Sequence, residues 1–531
     1  MDAAAREQIS ASRRTFRLRS KLRIRLCLLG LLIGSLTGFL ISAYRLLIEK
    51  MSGLLQFYLG HFGTRLWGAA LLLVCYLGIA ALVSWLCHWE PMIGGSGIPQ
   101  ISGILGGRLE CRSWRVLFAK FTGGVLCLGS GLTLGREGPS VQLGGALAQG
   151  LARLLKRPLS ERRFLLSAGA AAGLSAAFNA PISGVIFCLE ELHRSFSIPA
   201  LISAMAAAFA SDFVAVNIFG IHPVLHFQAV HDLKLELYPL LILLGAVCAC
   251  SGVAFNRLIQ RGKALYAALP LSPFLRRFIP FVATALVALL VPALLFSGEP
   301  LIFLPEGANL PLAVVLALYV AKFLLLLLAF CSGLPGGIFF PLLILGSLLG
   351  NLYAQLALAL GLIGPNDVLI LTLLAMCAHF TAIVRSPLTG IMLITEMSGS
   401  FAFMLPLGVV ALSAFLVADG LKCRPVYEML LDALLAQKHQ APPAERLLIE
   451  YPVEHGSRAE GCCISEIAWP EHCLFVGIKR GSEELLPRGS SRLEAGDYLL
   501  IYLDRSRQAD VEEGMAEVCR AQVSLLIEDD N

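Results

Sequence analysis

Asn179-Ala-Pro-Ile-Ser-Gly-Val-Ile-Phe-Cys-Leu-Glu190 returns, 206 residues further on, as Arg385-Ser-Pro-Leu-Thr-Gly-Ile-Met-Leu-Ile-Thr-Glu396. Pro181 and Pro387, Gly184 and Gly390, and Glu190 and Glu396 all share that offset. Upstream, Gly135 and Gly337, Pro139 and Pro341, and Gly144 and Gly346 share an offset of 202. Small-residue matches arise easily in apolar sequence, but two near-equal offsets in matching order predict an internal duplication. The offsets do not say whether the two halves are inverted. Pro99, Pro139, Pro181, Pro341 and Pro387 each stand at the start of an apolar piece. Proline suits the first helical position, where its missing N–H would be unpaired anyway. These prolines therefore predict half-helices that begin within a membrane, which are tolerated only where buried in protein or lining a cavity. Paired interrupted helices at matching places in two halves mark the substrate site of many transporters.

The composition agrees with a membrane bundle. Of the 531 residues, 57% are hydrophobic and 15% charged, against about 25% charged in soluble proteins. Apolar runs begin at 26–47 and 66–87 and recur to 403–418, several of them shorter than the roughly 20 residues a clean span needs. Seven of the thirteen residues from Arg13 to Arg25 are basic, which predicts a cytoplasmic N-terminus over 1–25. That polar stretch also predicts that the first span is not a cleavable secretory signal. The fifteen cysteines are scattered, many inside apolar runs, and read as small hydrophobes. Nothing calls for a disulfide, metal or cofactor, or for nucleic acid.

Three glycine-rich loops precede half-helices: Gly94-Gly-Ser-Gly-Ile-Pro99, Gly135-Arg-Glu-Gly-Pro139 and Gly333-Leu-Pro-Gly-Gly-Ile-Phe-Phe-Pro341. A helix N-terminus exposes unpaired N–H groups and about half a positive charge, and glycine lets an ion approach them closely. Three such ends together would hold an anion without a formal cation. Partial charges also release it more readily than a buried lysine or arginine would. One loop alone would more simply serve packing. Glu137 lies in the second loop, at the start of a half-helix. An acid there is stabilised by the same amides that would hold an anion, so it can compete for the site and leave it on protonation. Glu190 and Glu191 are consecutive near the end of an apolar helix. At 3.6 residues per turn they lie about 100° apart, which predicts that they do not share one face.

The three loops resemble the GSGIP, GREGP and GxFxP motifs of the CLC family of chloride channels and proton/chloride exchangers. Phe178-Asn-Ala-Pro-Ile-Ser-Gly184 and Lys422-Cys-Arg-Pro-Val-Tyr427 resemble two further segments of that family, and the likeness spans about residues 26–433. It implies an all-α polytopic membrane fold, an inverted repeat with broken and re-entrant helices, and a homodimer with one pore per subunit. It assigns the central anion site to Ser96, Ile338, Phe339, Tyr427 and Gly138. Serine at position 96 goes with chloride, and proline there with nitrate. Glu137 becomes the gate and outer proton carrier, Glu191 the inner proton acceptor, and Glu190 a residue that helps orient Glu191 or its waters. Arg136 reads as structural or as a steering charge. Lys120 matches a basic residue near the pathway and reads equally well as a structural lysine on backbone carbonyls. Ser96 and Tyr427 have plainer readings, as a helix cap and an interfacial anchor. His379 reads as a satisfied core histidine.

The halves are placed at about 26–230 and 235–433 within a transport domain over 26–436. Gln437-Lys-His-Gln-Ala-Pro-Pro443 lies in a linker over 437–445. Alternating runs at 447–453, 473–478 and 498–503, then a helix over 509–519, predict a small α+β cytosolic domain over 446–531. Its Arg492-to-Tyr502 segment resembles the TrkA-C domain of prokaryotic ion transporters. That likeness implies a bacterial inner-membrane protein with both termini cytoplasmic, and a ligand-sensing or dimerising tail whose effector would be a small molecule or nucleotide. Having both Glu137 and Glu191 favours proton-coupled chloride exchange. The alternatives are a passive voltage- or pH-gated chloride channel, a cation transporter and, weakest, a membrane enzyme.

Overall fold

The computed structural model describes residues 3–63, 65–220, 225, 233–303, 310–437, 446–471, 473–481, 483–504 and 508–520. Nearly all of the expected linker, 438–445, lies outside them. The chain forms two compact units, Met1–Leu431 and Asp432–Asn531.

The first half comprises α1 (Ala3–Phe62), α2 (Leu66–Trp89), α3 (Ile98–Leu105), α4 (Ser113–Gly129), α5 (Glu137–Leu154), α6 (Leu159–Phe178), α7 (Pro181–Phe187) and α8 (Ile198–Phe219). A π turn, Cys188–His193, continues α7. The second half comprises α9 (Tyr238–Ala268), α10 (Pro273–Arg276), α11 (Phe278–Leu290), α12 (Leu312–Cys331), α13 (Phe339–Ala359), α14 (Asp367–Val384), α15 (Pro387–Ser398), α16 (Met404–Gly420) and α17 (Val426–Gln437). Among the described residues, eight helices are long and apolar enough to cross a membrane. The basic segment 13–25 is helical and continuous with the first of them. Leu66, Val74 and Trp85 of α2, and Leu316 and Leu324 of α12, stand exposed. So much outward apolar surface suits lipid and not water. Cys75 and Cys250 face outward too, whereas Cys127, Cys188 and Cys377 are buried as expected.

The prolines open the half-helices less uniformly than expected. Pro181 and Pro387 take the first position and Pro99 the second, but Pro139 and Pro341 take the third. All of the first four amides lack an intrahelical partner, so proline is tolerated at each.

The duplication governs the packing. α5 packs on α6, and α13 on α14. Gly144 lies against the Gly169 carbonyl and its counterpart Gly346 against Ala375, where a Cβ would collide with backbone. α7 and α15 lie side by side. Each ends in a glutamate that caps the other's start. The Glu190 carboxylate accepts from the Leu388 and Thr389 amides (3.1 and 2.8 Å) and from the Thr389 hydroxyl. Glu396 accepts from the Ile182 and Ser183 amides (3.0 and 2.7 Å) and from the Ser183 hydroxyl. A carboxylate is stabilised at a helix N-terminus, and reciprocal caps require the two helices to run in opposite directions.

A second pair of matching residues was not anticipated. Lys120 and Lys322 share the 202-residue offset. Both are buried in helices. Lys120 donates to the Ile93 and Gly95 carbonyls (2.8 and 2.6 Å), and Lys322 to those of Leu294, Leu295 and Phe296 (2.9, 3.2 and 2.8 Å). The loop at Ser297-Gly298 is thus the counterpart of Ser96-Gly97, and the two glycines share a left-handed backbone, φ 96° and 101°.

The second unit is a sheet with one helix against it. Strands β1 (Arg446–Pro452), β2 (Cys473–Arg480), β3 (Glu483–Leu485) and β4 (Tyr498–Asp504) order as β1-β4-β2-β3, all antiparallel. The short β3 gave no alternating signal. α18 (Gln508–Cys519) supplies Val511, Met515 and Cys519 to a core with Ile478, Leu499 and Ile501. Arg480 pairs with buried Asp497 at 2.8 Å. Burial would raise that carboxyl, but the guanidinium and the Glu494 amide outweigh it and hold it below the ordinary aspartate range.

Candidate functional site

The three glycine loops meet. Gly135 and Gly337 exchange both backbone hydrogen bonds at 2.7 Å. Gly95 donates to the Leu334 carbonyl at 3.0 Å, and Gly336 donates to the Gly95 carbonyl at 3.2 Å. These bridges bring the starts of α3, α5 and α13 to one place. Glycine is required here by contact as much as by conformation. A Cβ on Gly138 would strike the Ser96 side chain, and one on Gly97 would strike Gln142.

The negative ends of the first loop are tied away. Lys120 takes the Ile93 and Gly95 carbonyls, Gln100 takes Gly94 (2.6 Å) and Gln142 takes Met92 (2.7 Å). With these acceptors engaged by side chains, the loop's carbonyls offset less of the positive character of its amides. Lys120 therefore acts on the loop as a carbonyl anchor, the structural alternative weighed above. Gln100 and Gln142 were missed in the sequence, since a glutamine in an apolar helix gives no sign of its partner.

Ser96 and Tyr427 lie beside one another and are both buried. Neither hydroxyl meets a partner of good hydrogen-bonding geometry. Ser96 caps no helix, because Gly97 is the N-cap of α3 and no side chain serves it. Tyr427 is the second residue of α17 and lies within electrostatic reach of both Glu137 and Glu191, so it is no interfacial anchor. Ile338 and Phe339, at the start of α13, are fully buried.

Glu137 opens α5 and is buried. Its carboxyl group accepts from the Phe340 amide of α13 at 3.4 Å, so an acid side chain occupies that helix N-terminus. Arg136 lies 4.0 Å from Glu137 and 3.8 Å from Glu49 of α1, too long for hydrogen bonds. Arg45 and Glu299 add charges nearby.

Glu191 is buried and accepts from the Ser386 hydroxyl at 3.1 Å. Ser386 is the N-cap of α15, so Glu190 and Glu191, adjacent on their own turn, both reach the same neighbouring helix start. Both acids lie on the π turn, a feature frequent at functional sites. Glu190 is held by the Leu388 and Thr389 amides and caps α15. Matching it with Glu396 in the repeat was the signal that could have shown this. His379 is satisfied, with Nδ1 on the Leu342 carbonyl (2.9 Å) and Nε2 on Ser251 (3.0 Å). Among the described residues, no group of three or more His, Cys, Asp or Glu could hold a metal.

Residues 79–419 match the family model described as voltage gated chloride channel. The chain belongs to this family. Residues 448–515 match the TrkA-C domain model. The H(+)/Cl(-) exchange transporter ClcA of Salmonella typhimurium (strain LT2) is 32% identical over 448 residues, covering 80% of this chain and 94% of that protein. The protein of the same name from Vibrio cholerae serotype O1 is 35% identical over 429 residues, covering 78% and 91%. A crystal structure described as a slow cyanobacterial Cl-/H+ antiporter matches with a TM-score of 0.73 and 30% identity, covering 78% of this chain and 99% of that one. A multi-pass membrane protein with the voltage gated chloride channel fold and a small C-terminal sheet domain is thereby established.

Proposed function

We propose that this chain exchanges protons for chloride across the membrane. The observation that carries the proposal is the meeting of three helix starts at one buried place, with one acid, Glu137, on the start of α13 and a second, Glu191, within electrostatic reach of the same tyrosine as Glu137. The first turns of α3, α5 and α13 supply amides, and Ser96 and Tyr427 supply unclaimed hydroxyls, for a desolvated halide. A cation would meet the positive ends of the helices, which disfavours a cation transporter. Glu137 shares its helix start with the anion, so its carboxylate and a halide exclude one another there. Protonation removes its charge and its claim on the amides. Glu191 lies off this contact, held by Ser386, and suits proton uptake that does not block the anion. The names of the ClcA relatives and of the cyanobacterial antiporter agree with exchange.

The same reading makes residues 26–436 the transport domain and 446–531 a regulatory module answering a small molecule or nucleotide. The protein works as a homodimer in the bacterial inner membrane, and the basic segment 13–25 faces the cytoplasm, as does the tail.

Proteoliposome flux under opposed gradients tests exchange. A chloride gradient is expected to drive protons uphill, and chloride flux that leaves the proton gradient untouched would make the protein a passive channel. Ser96→Pro is expected to turn the preference from chloride toward nitrate; unchanged selectivity would remove Ser96 from the site.

A further inference from the structure

The inner acid shares its cation with a second carboxylate. Arg194 follows the π turn in a left-handed backbone, φ 53°, which carries its side chain back toward the turn. One guanidinium nitrogen lies 3.8 Å from the Glu191 carboxylate, and the other forms an ion pair with Glu428. Glu428 is the residue after Tyr427 on α17. Glu191 is almost wholly buried, whereas Arg194 and Glu428 are partly exposed, with 48% and 30% of their side chains accessible.

We propose that Glu428 is a positioning residue for proton transfer, holding Arg194 at a distance from Glu191 and tying the acid to the helix that bears Tyr427. The proposal rests on the reading of Glu191 as the inner proton acceptor. At 3.8 Å the contact with Glu191 is electrostatic and lacks a hydrogen bond. An acid that must gain and lose a proton in every cycle needs such a partial hold. A direct guanidinium–carboxylate hydrogen bond would favour the charged form and slow protonation. With no cation near, the buried acid would keep its proton. Glu428 sets the balance by engaging the nitrogen that Glu191 does not.

Among the described residues, Arg194 is the one cation acting on Glu191. Besides Arg194 and Glu428, the groups acting on it are Glu190 on its own turn and Tyr427 on α17. α15 contributes the Ser386 hydroxyl. α3 has no charged residue, and Asp212, the one charged residue of α8, faces Glu396 and Arg45. His193 is taken by Ser167 of α6 at 2.6 Å.

The test is the internal-pH profile of proton flux in proteoliposomes holding the full chain. Glu428→Gln frees Arg194 to close on Glu191, so half-maximal flux is expected at an internal pH lower by about one unit. Arg194→Gln is expected to move it the opposite way, by a similar amount. In the Arg194→Gln background, Glu428→Gln should shift the profile much less, because only the weaker direct repulsion between the two carboxylates is left to remove. Glu428→Asp should restore part of the wild-type profile. A profile unmoved by Glu428→Gln, or moved equally in both backgrounds, would overturn the proposal. Glu191→Gln separates the two levels: if protons still flow, the reading beneath the proposal fails as well. If they stop while Glu428→Gln has no effect, only the role of Glu428 is lost.

Discussion

The two halves of the repeat share a scaffold and differ in chemistry. Lys120 and Lys322 both anchor loop carbonyls, Gly97 and Gly298 share a left-handed backbone, and Glu190 and Glu396 cap each other's neighbouring helix. At the positions of the two proposed proton carriers the halves part. Glu137 corresponds to Phe339 at the same offset, and Glu191 to Met397. Phe339 packs against Phe178, Phe187 and Phe380 with ring centroids 5.5, 5.8 and 4.6 Å away. Duplication thus built a symmetric frame around the helix starts, while the acids stand on one side of it only. The anchoring lysines and capping glutamates, present twice, answer to folding, while the two acids present once are the ones proposed to carry protons.

The sharpest way to break this comparison is to remove the unpaired features. Glu137→Ala should retain chloride flux and lose proton coupling, by a factor of a hundred or more. Glu191→Gln should lose coupling to a similar extent, yet keep whatever response chloride flux shows to external pH, because its contact is with the start of α15 and not with those of α3, α5 and α13. Coupled flux, measured as uphill proton movement, reads both. Coupling that survived Glu137→Ala would place the proton path elsewhere.

The paired lysines come next. Replacing either by methionine strands two or three buried carbonyls, which costs about 2–4 kcal/mol of stability. Thermal unfolding in detergent should show comparable losses for Lys120→Met and Lys322→Met. Only Lys120→Met should also weaken chloride binding, read by isothermal titration, since its carbonyls belong to the first glycine loop. Equal effects on binding would mean that the Ser297-Gly298 loop contributes to the anion site too.

The smallest effects are expected at the caps. Glu190→Gln and Glu396→Gln each remove one charge from a helix start, for about 1 kcal/mol. The two unfolding shifts should match, and Glu190→Gln should leave the proton-to-chloride ratio intact. A changed ratio at unchanged stability would give Glu190 a share in proton transfer that the cap geometry does not.

Much of the frame was legible in contiguous residues. Prolines before apolar pieces announced half-helices, glycine loops announced close backbone approach, and repeated spacing announced the duplication, because each depends on local chain chemistry. The tail's strands and helix were legible through alternation and turn residues, except β3, whose three exposed residues Glu483–Leu485 carry no pattern. Less could be read where a partner lies far along the chain. Gln142 gave no hint of the Met92 carbonyl, nor Glu396 of α7.

The sequence by itself determined that this protein is a duplicated bundle of broken helices with glycine loops suited to an anion and two candidate acids. Tertiary structure alone decided that the loops converge, that Glu190 serves as a cap, and that Arg194 stands between Glu191 and Glu428. The reason is physical: an amide's availability is a property of its own helix turn, whereas the partner of a buried charge is chosen by packing between segments, here 234 residues apart for Arg194 and Glu428. The π turn at Cys188–His193 shows the two levels meeting: its adjacent acids are written in the sequence, but the helix start they both reach is set by packing.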